Sequence, residues 1–108
     1  MAGAPSKRQG HASVEVGRRI YVLGGCLQEL RCFNDVHVFD TDSQRWSEEL
    51  LSGEAPKPRG GHSATLLGSD IYVVGGADSE SSFGDVHHLD LLQKRWTRLE
   101  LREMLSFL

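Results

Sequence analysis

The chain repeats itself, and that limits its folds more than any other feature. The stretch APSKRQGHASVEVGRRIYVLGG, from Ala4 to Gly25, returns as APKPRGGHSATLLGSDIYVVGG, from Ala55 to Gly76. At an offset of 51 the copies share Ala4/Ala55, Pro5/Pro56, Arg8/Arg59, Gly10/Gly61, His11/His62, Gly17/Gly68, Ile20/Ile71, Tyr21/Tyr72, Val22/Val73, Gly24/Gly75 and Gly25/Gly76. Beyond the double glycine the offset becomes 50, and Phe33/Phe83, Asp35/Asp85, Val36/Val86, His37/His87, Asp40/Asp90, Arg45/Arg95 and Trp46/Trp96 align. The lost residue lies between Cys26 and Phe33 in the first copy, or Ala77 and Phe83 in the second. Length changes collect in loops, so this segment is expected to be one. A chain of 108 residues, the size of one ordinary domain, is therefore two smaller units in series.

Each unit carries β signals. His11–Val16 alternates Ala12, Val14 and Val16 against His11, Ser13 and Glu15. Arg19–Leu23 is apolar on both faces, as a central strand covered on both sides should be. Asp35–Asp40 alternates Val36 and Val38 with His37 and Phe39. Arg45–Leu50 is the most polar and suits an exposed edge. Gly17–Arg18 reads as a tight turn. The Asp40–Gln44 segment reads as a hairpin loop in which the Asp40 carboxylate bonds N–H groups two or three residues on, and Asp90 stands at the same place in the second copy. Leu51–Gly60, with Gly53, Pro56 and Pro58, reads as the loop joining the units.

A repeat of four strands, with a double glycine ending the second and a tryptophan in the fourth, resembles the kelch repeat. The matching residues are Arg8, Gly10, His11, Tyr21, Gly24, Gly25, Asp35, Asp40 and Trp46. The second copy supplies Arg59, Gly61, His62, Tyr72, Gly75, Gly76, Asp85, Asp90 and Trp96. The PxxRxGH opening and DVHxxD third strand look like the long-repeat subgroup of kelch-domain-containing and Rab-effector-like proteins. The resemblance implies an all-β fold of two four-stranded antiparallel blades, an incomplete β-propeller. Residues 1–50 form the first blade, 51–101 the second, and 102–108 a divergent tail. The double glycines are expected to break the ladder before the variable loop. Tyr21 and Trp46 should carry apolar area into contacts between blades.

Catalysis has little support. The pairs His11/His62 and His37/His87 are periodic and read as structural. No HxH, HExxH or Cys–His spacing marks a metal site, and no cofactor is expected. A metal-dependent oxidoreductase on a kelch propeller is the remote alternative. It would need tyrosine, cysteine and histidine ligands, and both tyrosines fall at the repeated strand position. Cys26 and Cys32 could bridge the loop they flank, but with no signal-like segment at the N-terminus, free thiols in a reducing compartment are the expectation. The expected location is intracellular: cytoplasmic, with the nucleus also open.

Binding remains. A formal net charge of -3 offers no attraction to nucleic acid or an anionic membrane. The longest apolar stretches are too short to span a bilayer as a helix. Kelch partners dock on loops between strands two and three and on loops joining blades, which implicates Gln28, Glu29 and Arg31 in the first copy and Asp78, Glu80 and Ser81 in the second. Arg8 and Arg59 end the joining loops. They could reach a partner's carboxylate, although their periodicity favours repeated hydrogen bonds between blades.

Two blades are fewer than the four to eight that usually close a propeller, and after Trp96 the opening of a third never arrives. The expectation is a non-enzymatic protein-binding module or adaptor, a truncated product or isoform of a longer propeller protein. One alternative is that copies assemble, for example three chains supplying six blades, with self-association through exposed blade faces. Another is a two-blade scaffold completing a partner's propeller.

Overall fold

The computed structural model describes residues 2–27 and 31–99; Gln28, Glu29 and the 102–108 tail lie outside them. The described residues form nine strands in two sheets. Blade 1 is the antiparallel meander β1 (Ala12–Val16), β2 (Arg19–Leu27), β3 (Arg31–Asp40) and β4 (Arg45–Glu48). Blade 2 repeats it with β6 (Ser63–Leu67), β7 (Asp70–Val74), β8 (Val86–Asp90) and β9 (Arg95–Leu99). It adds a short strand, β5 (Ser52–Gly53), parallel to β9.

The expected turns form for the expected reasons. Val16 pairs with Arg19, leaving Gly17 and Arg18 as a two-residue loop, and Gly17 takes the positive φ of 60° that such a turn requires. Asp40 Oδ1 accepts the N–H groups of Asp42 and Ser43 at 2.9 and 3.1 Å. Asp90 Oδ1 accepts those of Leu92 and Gln93 at 2.9 and 3.0 Å.

Three details depart from the sequence reading. In blade 1 the ladder does not end at the double glycine. It bulges there, with Leu23 opposite Val36 and Gly25 opposite Phe33, and continues to Leu27–Arg31. The segment read as a variable loop is therefore largely strand in blade 1, while in blade 2 β7 does stop at Val74. Next, Cys26 and Cys32 are disulfide-bonded rather than free. The bulge sets them directly opposite each other, and the N–H and C=O of Cys26 are spent on Gln9, so the cysteines form the close, non-hydrogen-bonded kind of cross-strand pair. Last, the edge of the fourth strand in blade 2 is covered. The linker folds back so that Ser52 and Glu54 donate to the carbonyls of Lys94 and Trp96.

The core is the contact between the blades. Alternate residues of a strand address opposite faces, and the two blades bury different faces. Blade 1 turns Val14, Tyr21, Leu23, Val36 and Val38 inward, whereas blade 2 turns Ile71, Val73, Leu89 and Trp96 inward. Polar ties cross the same contact. Gly25 N–H donates to the Arg59 carbonyl (2.8 Å), Arg59 N–H to the Phe33 carbonyl (3.1 Å) and Gly61 N–H to the Gly10 carbonyl (2.8 Å). His62 Nε2–H donates to the Leu23 carbonyl at 2.8 Å. This explains the double glycine. A Cβ on Gly24, at φ +64°, would lie 2.8 Å from His62 Cε1 and 3.0 Å from the Arg59 carbonyl oxygen.

His62 Nδ1 is buried with no partner among the described residues, so a second ring proton would have no acceptor. Burial, against the opposing Leu23 bond, holds the His62 pKa below its ordinary value. Burial does the same at His87, partly offset by Asp85. The unfolded chain takes up these protons near pH 6.5 and the folded chain only at lower pH. Their contribution is therefore complete above about pH 6.5 and is lost as pH falls toward the folded values. Thermal melts should show a first loss of stability below neutrality. A second should come below the ordinary aspartate range, where the depressed Asp35 and Asp85 protonate. His62→Gln should shrink the first loss and leave the second. An unchanged first loss in that variant would refute the assignment.

Candidate binding face

The Cys26 end of β2, the Cys32 end of β3, the β7–β8 connection of blade 2 and the loops entering each blade meet at one end of the sheets. The entry loops carry the repeated arginines, whose guanidinium groups turn inward. Arg59 makes a two-pronged pair with Asp85 (2.5 and 3.0 Å), donates to the carbonyls of Gly75 and Lys57 (both 2.9 Å), and lies 4.1 Å over the Phe83 ring. Arg8 repeats this with Asp35 (2.5 and 3.2 Å), the Gly24 carbonyl (3.3 Å) and Phe33 (3.9 Å). Their side chains are 5% and 2% exposed for Arg8 and Arg59 respectively. Each arginine fastens its entry loop to its own blade. The bonds between blades come from the Arg59 backbone instead. With their donors used inside the fold, both arginines stand beneath the candidate face rather than on it.

The aspartates answer to these partners. The Arg59 bonds hold the Asp85 carboxyl below its ordinary range despite burial. At Asp35 burial pushes the other way, and the bonds from Arg8 and His37 outweigh it. His37 sets Nε2 2.8 Å from Asp35 and Nδ1 2.7 Å from the Gly3 carbonyl. Asp35, His37 and Glu48 bring possible metal-ligand atoms within 4.8 Å of one another. The spacing rules missed this grouping, which arises from the cross-strand pair His37–Glu48. Arg8 already engages both Asp35 oxygens, and blade 2 places Arg98 where blade 1 has Glu48.

Above the arginines a groove of about 560 Å³ runs between the blades. Gln9, Gly10, Gly60 and Gly61 line it, with the Cys26–Cys32 disulfide on the blade 1 side and Ala77, Asp78 and Ser79 on the blade 2 side. A Cβ on Gly60 would lie 2.9 Å from Cys26 Sγ, so the absent side chain keeps the groove open. Asp78 lines the groove, and Asp78 and Glu80 both border a neighbouring hollow with Lys57. Asp78 Oδ1 accepts the N–H groups of Glu80 and Ser81 (2.8 and 2.7 Å), which shape the loop and depress the Asp78 pKa. Arg31 is exposed at the start of β3, its guanidinium 5.3 Å from the Phe33 ring centre. The structure thus brings Asp78, Glu80 and Ser81 together beside the groove. Sequence reasoning missed the glycine lining, for which the glycines of the RxGH openings were the available signal, and it raised the disulfide but favoured free thiols.

The family model for the KLHDC2/KLHL20/DRC7 kelch-repeats domain matches residues 2–105. Relatives include the Rho GTPase-activating protein gacHH of Dictyostelium discoideum, 38% identical over 87% of this chain and 6% of that protein. Kelch domain-containing protein 3 of Homo sapiens is 39% identical over 77% of the chain and 22% of that protein. Acyl-CoA-binding domain-containing protein 4 of Arabidopsis thaliana is 32% identical over 87% and 14%. The chain thus spans less than a quarter of the length of each of these relatives. With the repeated landmarks, two matching blades and a family model covering nearly every residue, the chain belongs to the kelch-repeat family.

Proposed function

We propose that the chain is a non-enzymatic protein-binding module, two blades of a larger propeller, whose partner sits on the groove between the blades. The observation that carries this reading is the convergence of the least similar parts of the two copies on a glycine-lined groove. Partner contacts are assigned to Arg31, Asp78, Glu80 and Ser81 and, from their place in the sequence alone, to Gln28 and Glu29. Arg8 and Arg59 support this surface from below. The larger propeller would be a longer polypeptide, of which this chain is a truncated product or isoform, or an assembly of chains. We place this activity inside the cell, in the cytoplasm or nucleus, where Cys26 and Cys32 would stand opposite each other as a reducible pair.

A photo-crosslinking residue at Glu80 should trap a defined partner, while one at Asp42, in the turn at the opposite end of β3, should not. Arg31→Glu with Glu80→Lys leaves the Asp78 turn in place. That double variant should weaken binding of the trapped partner by about tenfold or more, about 1.4 kcal/mol. Equal trapping from both ends, or unchanged affinity, would remove the groove from the proposal.

A further inference from the structure

We propose that this chain associates head to tail with a second copy of itself, the open face of blade 2 in one copy seating the open face of blade 1 in the next. The inference is independent of the groove and takes the internal contact as its template. That contact joins unlike surfaces: the Ile71, Val73, Leu89 and Trp96 face of blade 2 lies on the Tyr21, Leu23, Val36 and Val38 face of blade 1. The faces left over are the repeat counterparts of the same two surfaces. On those faces Ile20, Phe39 and Trp46 of blade 1 and Tyr72 of blade 2 are half-buried and Val74 is exposed, while Val22 and Val86 beside them are already buried. Val74 is 46% exposed, whereas its counterpart Leu23 is 2% exposed.

The plug and socket repeat as well. Within the chain, His62 and the Arg59 backbone fill the space above Gly24. The matching plug on blade 1 is Arg8–His11, and His11 is exposed. The matching socket lies above Gly75, where an added Cβ would meet only the Phe83 carbonyl oxygen, at 3.5 Å. The departures from the template are polar. On the open face of blade 1, Glu15 stands where Leu66 packs in blade 2, and Glu48 stands where Arg98 does. On the open face of blade 2, His88 replaces Val38. Its Nδ1 is buried without a hydrogen-bond partner among the described residues, and Asp70 is the nearest carboxylate, at 3.9 Å.

A contact between unlike faces adds copies in one rotational sense and ends in a ring when the rotation closes. Propellers of four to eight blades correspond to rings of two, three or four copies. The test uses the full 108-residue chain and two single-face variants, Val74→Arg on blade 2 and Ile20→Arg on blade 1. Light scattering after gel filtration should give the wild type a discrete mass that is a whole multiple of 12.0 kDa. Each variant alone should fall to a single chain, because every head or every tail is blocked. Mixed in equal amounts, they should form a one-to-one dimer, since one intact head then meets one intact tail. Dimer formation also certifies that both variants fold, and the β-sheet circular dichroism of each checks it separately. The proposal is overturned by a monomeric wild type, whatever else covers its faces. It is also overturned by either variant keeping the wild-type mass, by a folded mixture staying monomeric, or by polydisperse aggregate.

Discussion

Trp96→Ala should destabilise the fold by about 3–5 kcal/mol, the usual cost of emptying a buried indole site. Trp46→Ala should cost about 1–2 kcal/mol. The two tryptophans are repeat counterparts with the same Arg–Trp context, and sequence treats them alike. Trp96 is 3% exposed and belongs to the core between blades. Trp46 is half-buried on the open face of blade 1, its ring centre 5.2 Å from that of Phe39. Urea unfolding at a protein concentration that keeps the chain monomeric measures both. Folded domains typically hold about 5–15 kcal/mol, so the first change should leave the chain near its unfolding threshold and the second should not. Equal losses would mean that the blades do not pack in the described order.

The second large effect concerns Arg59. Arg59→Ala should cost about 3–5 kcal/mol, because it leaves the Asp85 charge without its partner in a mostly buried setting. It also strips donors from the carbonyls of Gly75 and Lys57. Arg8→Ala removes the same construction from blade 1 and should cost less. There His37 Nε2 still stands 2.8 Å from Asp35, whereas His87 Nδ1 is 3.8 Å from Asp85. Replacing Arg59 and Asp85 together by apolar residues should recover part of the loss, because no charge is then stranded. Thermal melts of the three variants would decide the matter. A silent Arg59→Ala would show that the guanidinium is not held as described, and would return it to the candidate binding residues.

These contrasts show how far the sequence could be read. Strand order, the Gly17 turn and the Asp40 and Asp90 loops were legible, because each depends on residues close in the chain. The disulfide was not. It needs the bulge between Leu23 and Gly25, which slides Cys26 opposite Cys32. Nor was the inward turn of Arg8 and Arg59 settled, since periodicity marks a repeated role without saying which way a side chain points. Asp78 and Glu80 were found as loop residues; the groove they border exists only once two blades stand side by side.

The repeat alone determined that this chain is two kelch blades, since local alternation and turn chemistry recur in both copies. Only the tertiary structure decided that the copies are not equivalent. A single contact between unlike faces must bury one side of each blade and expose the other. Identical residues such as Trp46 and Trp96 therefore receive different surroundings, and Tyr21 is buried while Tyr72 lies on an open face.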